Sequence, residues 1–391
     1  MVTSRRLSAL AAAFLAAAIA AVAVSARTGS TSASSLAALR ICKAAGPPQP
    51  AARFRYVILQ APRYRDIAAI KRRNPATKVL AYKDMASTQD NVPGSSDLPS
   101  GVSYAYANRY HPEWFLKDTA GRRVNWADWP HNWMMDIGSR SYQRTWARNV
   151  ARDLRRRGWD GVFVDGVSRT MQYPWYLNGR VLAKYPGPND YARATTRFLR
   201  HVGPLLRHRH LVVGNINDAT VPLWRRWLRY LSGTSKEWWT KAEVRRGVGA
   251  ITGAQWAYQM QLLREAQAQR KIFIAISYGP VDDVPAIDYA RASFLLFARG
   301  RRSAFSYAPP CGTEPSSSRW REDLGDPRGA AVKNGPVWRR VFAGGIALVN
   351  PSSSLSATVP LGGTYINRSG APVTSALLPP HTGVTLRRPT S

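Results

Sequence analysis

The chain has 391 residues, with 56 Lys and Arg against 23 Asp and Glu, and a formal net charge of +33 at pH 7. Beyond its first residues it contains no stretch long and apolar enough to span a bilayer, and no helix-turn-helix, zinc-finger or RNA-binding signature, so we expect neither membrane nor nucleic acid as a partner. The charge indicates either a solvated basic surface or attraction to an acidic polysaccharide.

The first 26 residues are predicted to be a signal peptide. Arg5 and Arg6 precede an apolar run from Leu7 to Val24, and small residues follow up to Ala26. An uncleaved membrane anchor is the alternative. Residues 27–50 are small, polar and Pro-rich, which predicts a linker. We therefore expect a secreted or extracytoplasmic, monomeric protein, and its basic charge is compatible with association with the cell envelope.

Cys42 and Cys311 are the two cysteines of the chain. In an exported protein they can pair, and the bridge would tie the start of the fold to a late loop. Two unpaired thiols are the alternative.

Short apolar runs alternate with helical patterns along residues 51–335. The predicted strands are residues 56–60, 79–83, 133–136, 161–165, 211–215, 230–233, 272–276 and 303–307. Helical patterns include residues 142–154, 190–206 and 254–269. Eight strands alternating with helices predict a (β/α)₈ TIM barrel in the α/β class. An open doubly wound sheet is the alternative, which the absence of a Gly-rich phosphate fingerprint after the first strand weakens.

Residues 336–391 have a different pattern, in which short strand-like runs are separated by turn residues. This pattern predicts a small β-sheet module that packs on the barrel and stabilises it. A carbohydrate-binding role is the alternative, since a fold does not fix a role.

The segment Gly158-Trp159-Asp160-Gly161-Val162-Phe163-Val164-Asp165-Gly166 is the most informative part of the chain. An apolar run typical of a buried parallel strand ends there in a carboxylate. In TIM barrels the carboxyl end of a strand is where the chemistry is located. Asp165 is therefore a candidate catalytic residue, with a loop salt bridge or helix cap as the alternative.

Glu237 is the candidate for a second carboxyl group. It follows the sixth predicted strand, and strands four and six contribute side chains to the same layers of a barrel. The adjacent Trp238 and Trp239 would exclude water and raise the pKa of Glu237, as a general acid requires. A glutamate at a helix start beside core aromatics is the alternative.

Polar or aromatic residues at the other strand ends are typical of a sugar pocket. The candidate substrate-binding residues at these ends are Tyr82, Lys83, Asp136, Asn215, Asn217, Trp238, Tyr278 and Tyr307. Three more come from the long aromatic-rich segment between the second and third predicted strands, where Tyr106, Trp126 and Trp129 could stack on sugar faces. Each of them could instead fill an ordinary core.

The six histidines show no metal-ligand spacing, neither cysteine lies in a nucleophile motif, and there is no Gly-x-Ser-x-Gly elbow. No metal and no cofactor are expected.

Several segments together resemble glycoside hydrolases related to the endo-α-1,4-polygalactosaminidases. They are Val79-Leu80-Ala81-Tyr82-Lys83, Gly158 to Asp165, and Lys236-Glu237-Trp238-Trp239, with weaker likeness at Trp114-Phe115-Leu116-Lys117-Asp118 and Asp136-Ile137-Gly138. The resemblance covers residues 53–310. It implies a TIM barrel in which Asp165 is the nucleophile or base and Glu237 the general acid.

Three functions remain open from the sequence. The first is a secreted hydrolase that cleaves an extracellular or cell-envelope polysaccharide, and the second is a non-catalytic polysaccharide-binding barrel. The third is a basic envelope protein whose charge is its function. Hydrolysis requires Asp165 and Glu237 to face each other across one cleft.

Overall fold

A computed structural model describes residues 35–41, 54–92, 96–172, 177–187, 189–241, 249–313 and 322–389. Within these residues the chain forms a closed, eight-stranded parallel barrel followed by a C-terminal antiparallel sheet, which confirms the predicted fold class. The predicted signal peptide lies outside the described residues. Cys311 is disulfide-bonded, and Cys42, its predicted partner, also lies outside them.

The strands up to the end of the barrel are, in chain order, β1 (Leu36–Arg40), β2 (Phe54–Gln60), β3 (Lys78–Asp84), β4 (Ser87–Gln89), β5 (Asn132–Met134), β6 (Gly161–Ser168), β7 (Leu211–Asp218), β8 (Gly233–Lys236), β9 (Ile272–Tyr278) and β10 (Ser303–Ala308). The barrel order is β1-β10-β9-β8-β7-β6-β3-β2, whereas β4 and β5 form a separate antiparallel pair. Asp165 thus lies in the fourth barrel strand, β6, and Glu237 directly follows the sixth, β8, as predicted.

The α-helices of the described residues are α1 (Asp66–Arg73), α2 (Tyr104–Tyr110), α3 (Arg140–Arg157), α4 (Asp190–Arg207), α5 (Val221–Leu228), α6 (Gly253–Ala268) and α7 (Val284–Phe297). Helix α3 shows how the sequence sets their bounds. The side chain of Ser139 accepts a hydrogen bond from the Tyr142 amide at its start, and Gly158 ends it in the left-handed conformation. Between these ends one apolar stripe, which includes Trp146 and Leu154, is buried.

Two predictions about the first half of the chain are wrong. Residues 27–50 are not all linker, because β1 lies within them and pairs in parallel with β2 and β10. Residues 133–136 do not form a barrel strand, because β5 pairs antiparallel with β4 outside the barrel. Strand β1 takes the place of the predicted strand 133–136 in the barrel, so the predicted total of eight strands is correct.

Strand alternation separates two apolar layers. The barrel interior is filled by every second residue of each strand, such as Leu80, Phe163, Val213 and Ile276. The intervening residues pack outward against the helices. At the carboxyl ends of the strands the inward positions become polar, and there the interior opens to solvent.

The C-terminal sheet contains β11 (Val332–Asn334), β12 (Val337–Val341), β13 (Gly345–Asn350), β14 (Ala357–Ile366), β15 (Pro372–Leu378) and β16 (Thr382–Arg387), so it begins slightly before the predicted residue 336. It packs on α7 as a stabilising module would. Arg340 donates to the Leu295 and Ala298 carbonyls at 2.8 and 2.7 Å, and an added Cβ on Gly383 would lie 2.8 Å from the Tyr289 Cα.

None of the helices in the described part of the chain has the length and apolar character that crossing a bilayer requires.

Candidate active site

Asp165 occupies an inward position near the end of β6. Its Oδ1 accepts hydrogen bonds from the Gly166 amide at 2.8 Å and from Asn215 Nδ2 at 2.9 Å. Its Oδ2 accepts from the Tyr82 hydroxyl on the neighbouring strand β3. The carboxyl group is half-buried. It is therefore held from both sides yet still reachable from the mouth of the barrel.

Glu237 immediately follows β8 and also points into the mouth. Its Oε1 accepts from the Tyr278 hydroxyl at 2.5 Å, and its Oε2 accepts from Asn215 Nδ2 at 2.7 Å and Asn217 Nδ2 at 2.6 Å. Like Asp165 it is half-buried, while Asn217 is exposed. Strands β7, β8 and β9 thus position this second carboxyl group.

One amide nitrogen joins the two carboxyl groups. Asn215 Nδ2 donates to both Asp165 Oδ1 and Glu237 Oε2. Because both distances are below 3 Å, these two oxygens lie within about 6 Å of each other, which is close to the separation in retaining glycosidases. The two acids predicted from distant parts of the sequence therefore face each other across one opening.

The orientations of the two asparagine amides are fixed by what their oxygens accept. Asn215 Oδ1 accepts from Ser235 Oγ at 2.7 Å, and Asn217 Oδ1 accepts from the Glu237 backbone amide at 3.0 Å. Both amide nitrogens must then point at Glu237 Oε2, which leaves no room for a proton on that oxygen. When Glu237 is protonated, the proton therefore lies on Oε1, the oxygen that faces Tyr278.

The surroundings of Glu237 favour its protonated form. Burial raises the pKa of Glu237 above its usual 4.5, and the negative charge of Asp165 raises it further. Hydrogen bonds from Tyr278, Asn215 and Asn217 lower the pKa again, but by less. Burial and the adjacent carboxylates raise the pKa of Tyr82 and of Tyr278 well above 10, so both hydroxyls stay protonated donors.

A third carboxyl group, that of Asp84, lies behind Asp165. Burial and the charge of Asp165 raise the pKa of Asp84 to about 7. It accepts from the Ala86 amide at 2.7 Å and from the Ser87 hydroxyl. Gly166, at φ +78°, allows this close approach, because an added Cβ would lie 2.8 Å from Asp84 Oδ1. Residue 166 must therefore be a glycine for two reasons: its φ angle is positive, and its neighbours leave no space for a Cβ atom.

Trp238, directly after Glu237, has a left-handed backbone with φ +55°. This conformation is strained for a bulky side chain, and such strain concentrates at functional sites. The indole ring lies 4.7 Å from the Tyr278 ring and is half-buried at the edge of the barrel interior. Trp238 therefore packs on the tyrosine whose hydroxyl donates to Glu237 Oε1.

The structure brings together seven residues predicted from the sequence, which are Tyr82, Asp165, Asn215, Asn217, Glu237, Trp238 and Tyr278. Their roles in catalysis or substrate binding remain predictions.

Three other predicted residues lie outside this cluster. Lys83 faces outward between Tyr82 and Asp84, where its buried ammonium group forms an ion pair with Asp153 at 2.8 Å. Tyr307 also faces outward, and its hydroxyl donates to the Pro280 carbonyl at 3.2 Å. Both predictions overlooked that alternate residues of a strand point in opposite directions.

Asp136 is 3% exposed, and the segment that precedes it pairs with β4 outside the barrel, so Asp136 does not lie at the end of a barrel strand. It accepts from the Gly138 amide at 3.0 Å, from Lys184 and from the Tyr185 hydroxyl. These bonds tie the segment before α3 to the segment before α4. The contacts of Asp136 are those of a structural carboxylate.

The three predicted aromatic subsites lie in the segment between β3 and β6. Tyr106 packs on Tyr110 and Trp114 with ring centroids 5.4 and 6.2 Å apart. Trp126 is half-buried against the core, and Trp129 is 54% exposed. A role in substrate binding stays a prediction for all three.

Ser235 is the member of the site that sequence reasoning missed. It is buried on β8 and donates to Asn215 Oδ1, which orients the bridging amide. It lies two residues before Glu237, so strand alternation would have placed both on the same face.

In the described residues, no group of three or more His, Cys, Asp or Glu side chains is arranged to hold a metal ion.

The family model described as hypothetical glycosyl hydrolase family 15 matches residues 71–346, a span that includes both carboxyl groups of the site. No curated protein matches the chain.

Several solved structures are similar to the chain at low sequence identity. The glycoside hydrolase domain of PelA from Pseudomonas aeruginosa is 17% identical, with 71% of this chain and 95% of that chain covered and a TM-score of 0.47. The noncanonic maltogenic α-amylase AmyB from Thermotoga neapolitana is 10% identical, with 90% and 98% covered and a TM-score of 0.49. An α-amylase from Malbranchea cinnamomea is 8% identical, with 91% and 96% covered and a TM-score of 0.47.

Proposed function

The chain belongs to the hypothetical glycosyl hydrolase family 15 and is a glycoside hydrolase, and from that premise we propose that it cleaves an extracellular or cell-envelope polysaccharide with Asp165 and Glu237 as its two catalytic carboxyl groups. The observation that carries the proposal is the Asn215 amide nitrogen, which donates to both carboxyl groups. Two acids held this close at the mouth of a barrel are what glycosidic bond cleavage needs.

In the proposed mechanism Glu237 is the general acid and Asp165 the nucleophile. Glu237 gives the proton on Oε1 to the glycosidic oxygen while a carboxylate oxygen of Asp165 attacks the anomeric carbon, so the glycosidic bond breaks and a glycosyl ester forms. The Glu237 carboxylate then takes a proton from water, which attacks the same carbon and releases Asp165. The short separation of the two oxygens favours this retaining path over an inverting one.

The open, partly aromatic site supports a polymeric substrate. Asn217 is exposed, and Trp238 offers part of its ring beside Glu237. The net charge of +33 would repel a cationic, deacetylated amino-sugar polymer, so the expected substrates are neutral, acetylated or acidic glycans. Secretion follows from the predicted signal peptide, residues 1–26.

A glycan panel tests this proposal directly. We expect at least one neutral, acetylated or acidic polysaccharide to release new reducing ends with the wild-type chain, and less than about one-thousandth of that rate with Glu237→Gln. The measurement is reducing-end release per folded enzyme, and thermal melts serve as the folding control. Equal product from both proteins on every active glycan would remove Glu237 from the mechanism.

The pH profile of the active glycan tests the assigned proton. A general acid works only while protonated, so activity should fall as pH rises through the raised pKa of Glu237, and this alkaline limb should lie above pH 4.5. Asn215→Ala removes a donor to the ionised form, which raises the pKa further. We therefore expect the alkaline limb of Asn215→Ala to move to higher pH, with kcat lower by about 100-fold from lost positioning.

Asn217→Ala is the matched control for the bridging role of Asn215. It also removes a donor to Glu237 Oε2 but leaves the link to Asp165 intact. Its alkaline limb should move in the same direction while kcat falls less. An alkaline limb that stays in place in both variants would show that another group carries the proton.

A further inference from the structure

A cleft at the opposite end of the barrel has an unusual lining. It has a volume of about 520 Å³ and lies where the chain enters β9 and β10. Its cationic side chains are Arg264, Arg270, Lys271, Arg299, Arg301 and Arg302, and its remaining lining residues are Gln267, Ala268 and Gly300. We call it the basic cleft. None of the described residues that line it is a carboxylate.

The cations of the basic cleft are not neutralised within the described residues. None of the six forms an ion pair there, and the adjacent Glu265 is engaged by Arg225 at 2.6 Å. Lys271 donates to the Leu231 carbonyl at 2.6 Å, and burial together with Arg207 and Arg302 lowers its pKa to about 8. Lys271 and Arg302, whose side chain donates to the Arg270 carbonyl, thus have neutral oxygens as their partners.

Helix dipoles do not account for this concentration of charge. The C-termini of α6 and α7 point towards the cleft, and each contributes about half a negative charge. Together they offset about one cation of the six. Neither helix has a basic residue in its last turn, so most of the charge comes from the loops that follow.

The backbone at the end of α6 sets the position of two cations of the cleft. Arg270 has φ +55°, a left-handed conformation that glycine and asparagine adopt far more readily than arginine. Arg270 adopts it just after the C-terminus of α6, where helices commonly end in this way, and the resulting turn places Arg270 and Lys271 at the cleft. Its neighbour across the cleft, Gly300, has φ +63° and is a glycine, as such a turn favours.

We propose that the basic cleft is a second, non-catalytic site that binds the carboxylate or phosphate groups of an acidic polysaccharide. Arginine forks match both groups in geometry. The lining has no aromatic ring on which a nucleobase could stack, and Ala268 is its one apolar side chain, which argues against single-stranded nucleic acid and against a lipid surface. Only the identification of the polymer as a glycan rests on the proposed function.

The position of the basic cleft gives it a role distinct from catalysis. Lys271 precedes β9 at the cleft, and Tyr278 ends the same strand at Glu237. Tyr278 is seven residues further along the chain than Lys271, a distance of about 23 Å along a strand. A polymer held in the cleft would keep the enzyme attached at one end of the barrel while its catalytic mouth faces away.

The test is binding of fluorescently labelled polygalacturonate to the chain that carries Glu237→Gln, which prevents hydrolysis. The cleft variant is Arg270→Gln, Arg299→Gln and Arg301→Gln, three cations whose side chains donate no hydrogen bond within the described residues. The matched control is Arg140→Gln, Arg144→Gln and Arg148→Gln on the exposed face of α3, which removes the same charge. A single Arg301→Glu variant checks the result with the least risk to folding.

At about 0.15 M salt we expect the cleft variant to raise the Kd at least about tenfold and the control less than about threefold. The slope of log affinity against log salt should also become shallower in the cleft variant. Poly(glycerol phosphate) serves as a second probe, which carries phosphate where polygalacturonate carries carboxylate. The polymer that loses more affinity in the cleft variant identifies the anionic group that the cleft binds. Equal losses in cleft and control variants would overturn the site in favour of diffuse attraction.

Single-stranded DNA and anionic vesicles complete the experiment. If the cleft variant weakens binding to either of these and leaves binding to both acidic polymers unchanged, the proposed partner is wrong. Because the experiment measures binding, it gives a decisive result even if the protein hydrolyses none of the glycans tested.

Discussion

Replacement of Asp165 by alanine is expected to lower kcat on an aryl glycoside of the active sugar by about 10⁴-fold. The reason is that the attacking carboxylate oxygen is lost while the acid, Glu237, remains. Added azide should restore part of the rate, because the small anion fits the space left by the side chain and attacks the anomeric carbon itself. The product, measured by NMR, should be a glycosyl azide of inverted configuration, since only one displacement has occurred.

The same substitution at Glu237 gives the complementary result. Glu237→Ala keeps the nucleophile, so the glycosyl ester still forms from a substrate with a good leaving group, and azide then attacks it in place of activated water. Two displacements give a glycosyl azide of retained configuration. Inverted azide from both variants would contradict the covalent path, and retained azide from Asp165→Ala would mean that the two roles are exchanged.

The barrel and its two acids were predictable because the signals are local. Buried parallel strands read as continuous apolar runs, and the run Val162-Phe163-Val164 ends in Asp165 at the end of the barrel where polar residues gather. Glu237 was found by its place after the sixth strand, although β8 begins three residues later than predicted. In both cases the position of the residue after its strand was enough to predict that the side chain lies at the carboxyl end of the barrel.

The errors come from contacts that only the folded chain defines. The short, alanine-rich β1 has no strand signal of its own, and it is a strand because β2 and β10 pair with it on both sides. The run Trp133-Met134-Met135 is as apolar as a barrel strand, but Trp133 and Met134 pair with β4. The bridging amide of Asn215 required three neighbouring strands in register, which no local pattern encodes.

Asp153→Asn is expected to reduce the free energy of unfolding by about 3–5 kcal/mol, the largest stability loss we predict. Asp153 lies on α3 and forms ion pairs with Lys83 at 2.8 Å and Arg157 at 2.7 Å. The side chain of Lys83 is 1% exposed, and without Asp153 the hydrogen-bond partner left to its ammonium among the described residues is the Leu98 carbonyl at 2.5 Å. Burial already lowers the pKa of Lys83, so removing the carboxylate leaves a charge that the interior does not solvate.

Thermal and urea unfolding measure this loss, and Glu265→Gln is the matched control. It also converts one carboxylate to an amide, but its partner Arg225 is 52% exposed, so the cost should stay below about 1 kcal/mol. The double substitution Lys83→Met and Asp153→Leu should recover most of the stability, because an apolar pair needs no solvation. Lys83 lies between Tyr82, whose hydroxyl donates to Asp165, and Asp84, which lies behind Asp165.

The same variants decide between the two interpretations of Lys83. If Lys83 only anchors β3 to α3, the double variant should hydrolyse the active glycan at a rate near that of the wild type per folded molecule. If Lys83 binds substrate, as its place at a strand end predicts, the double variant should raise KM while its stability is restored. The outward orientation of the side chain and the buried carboxylate that it meets lead us to expect the first result.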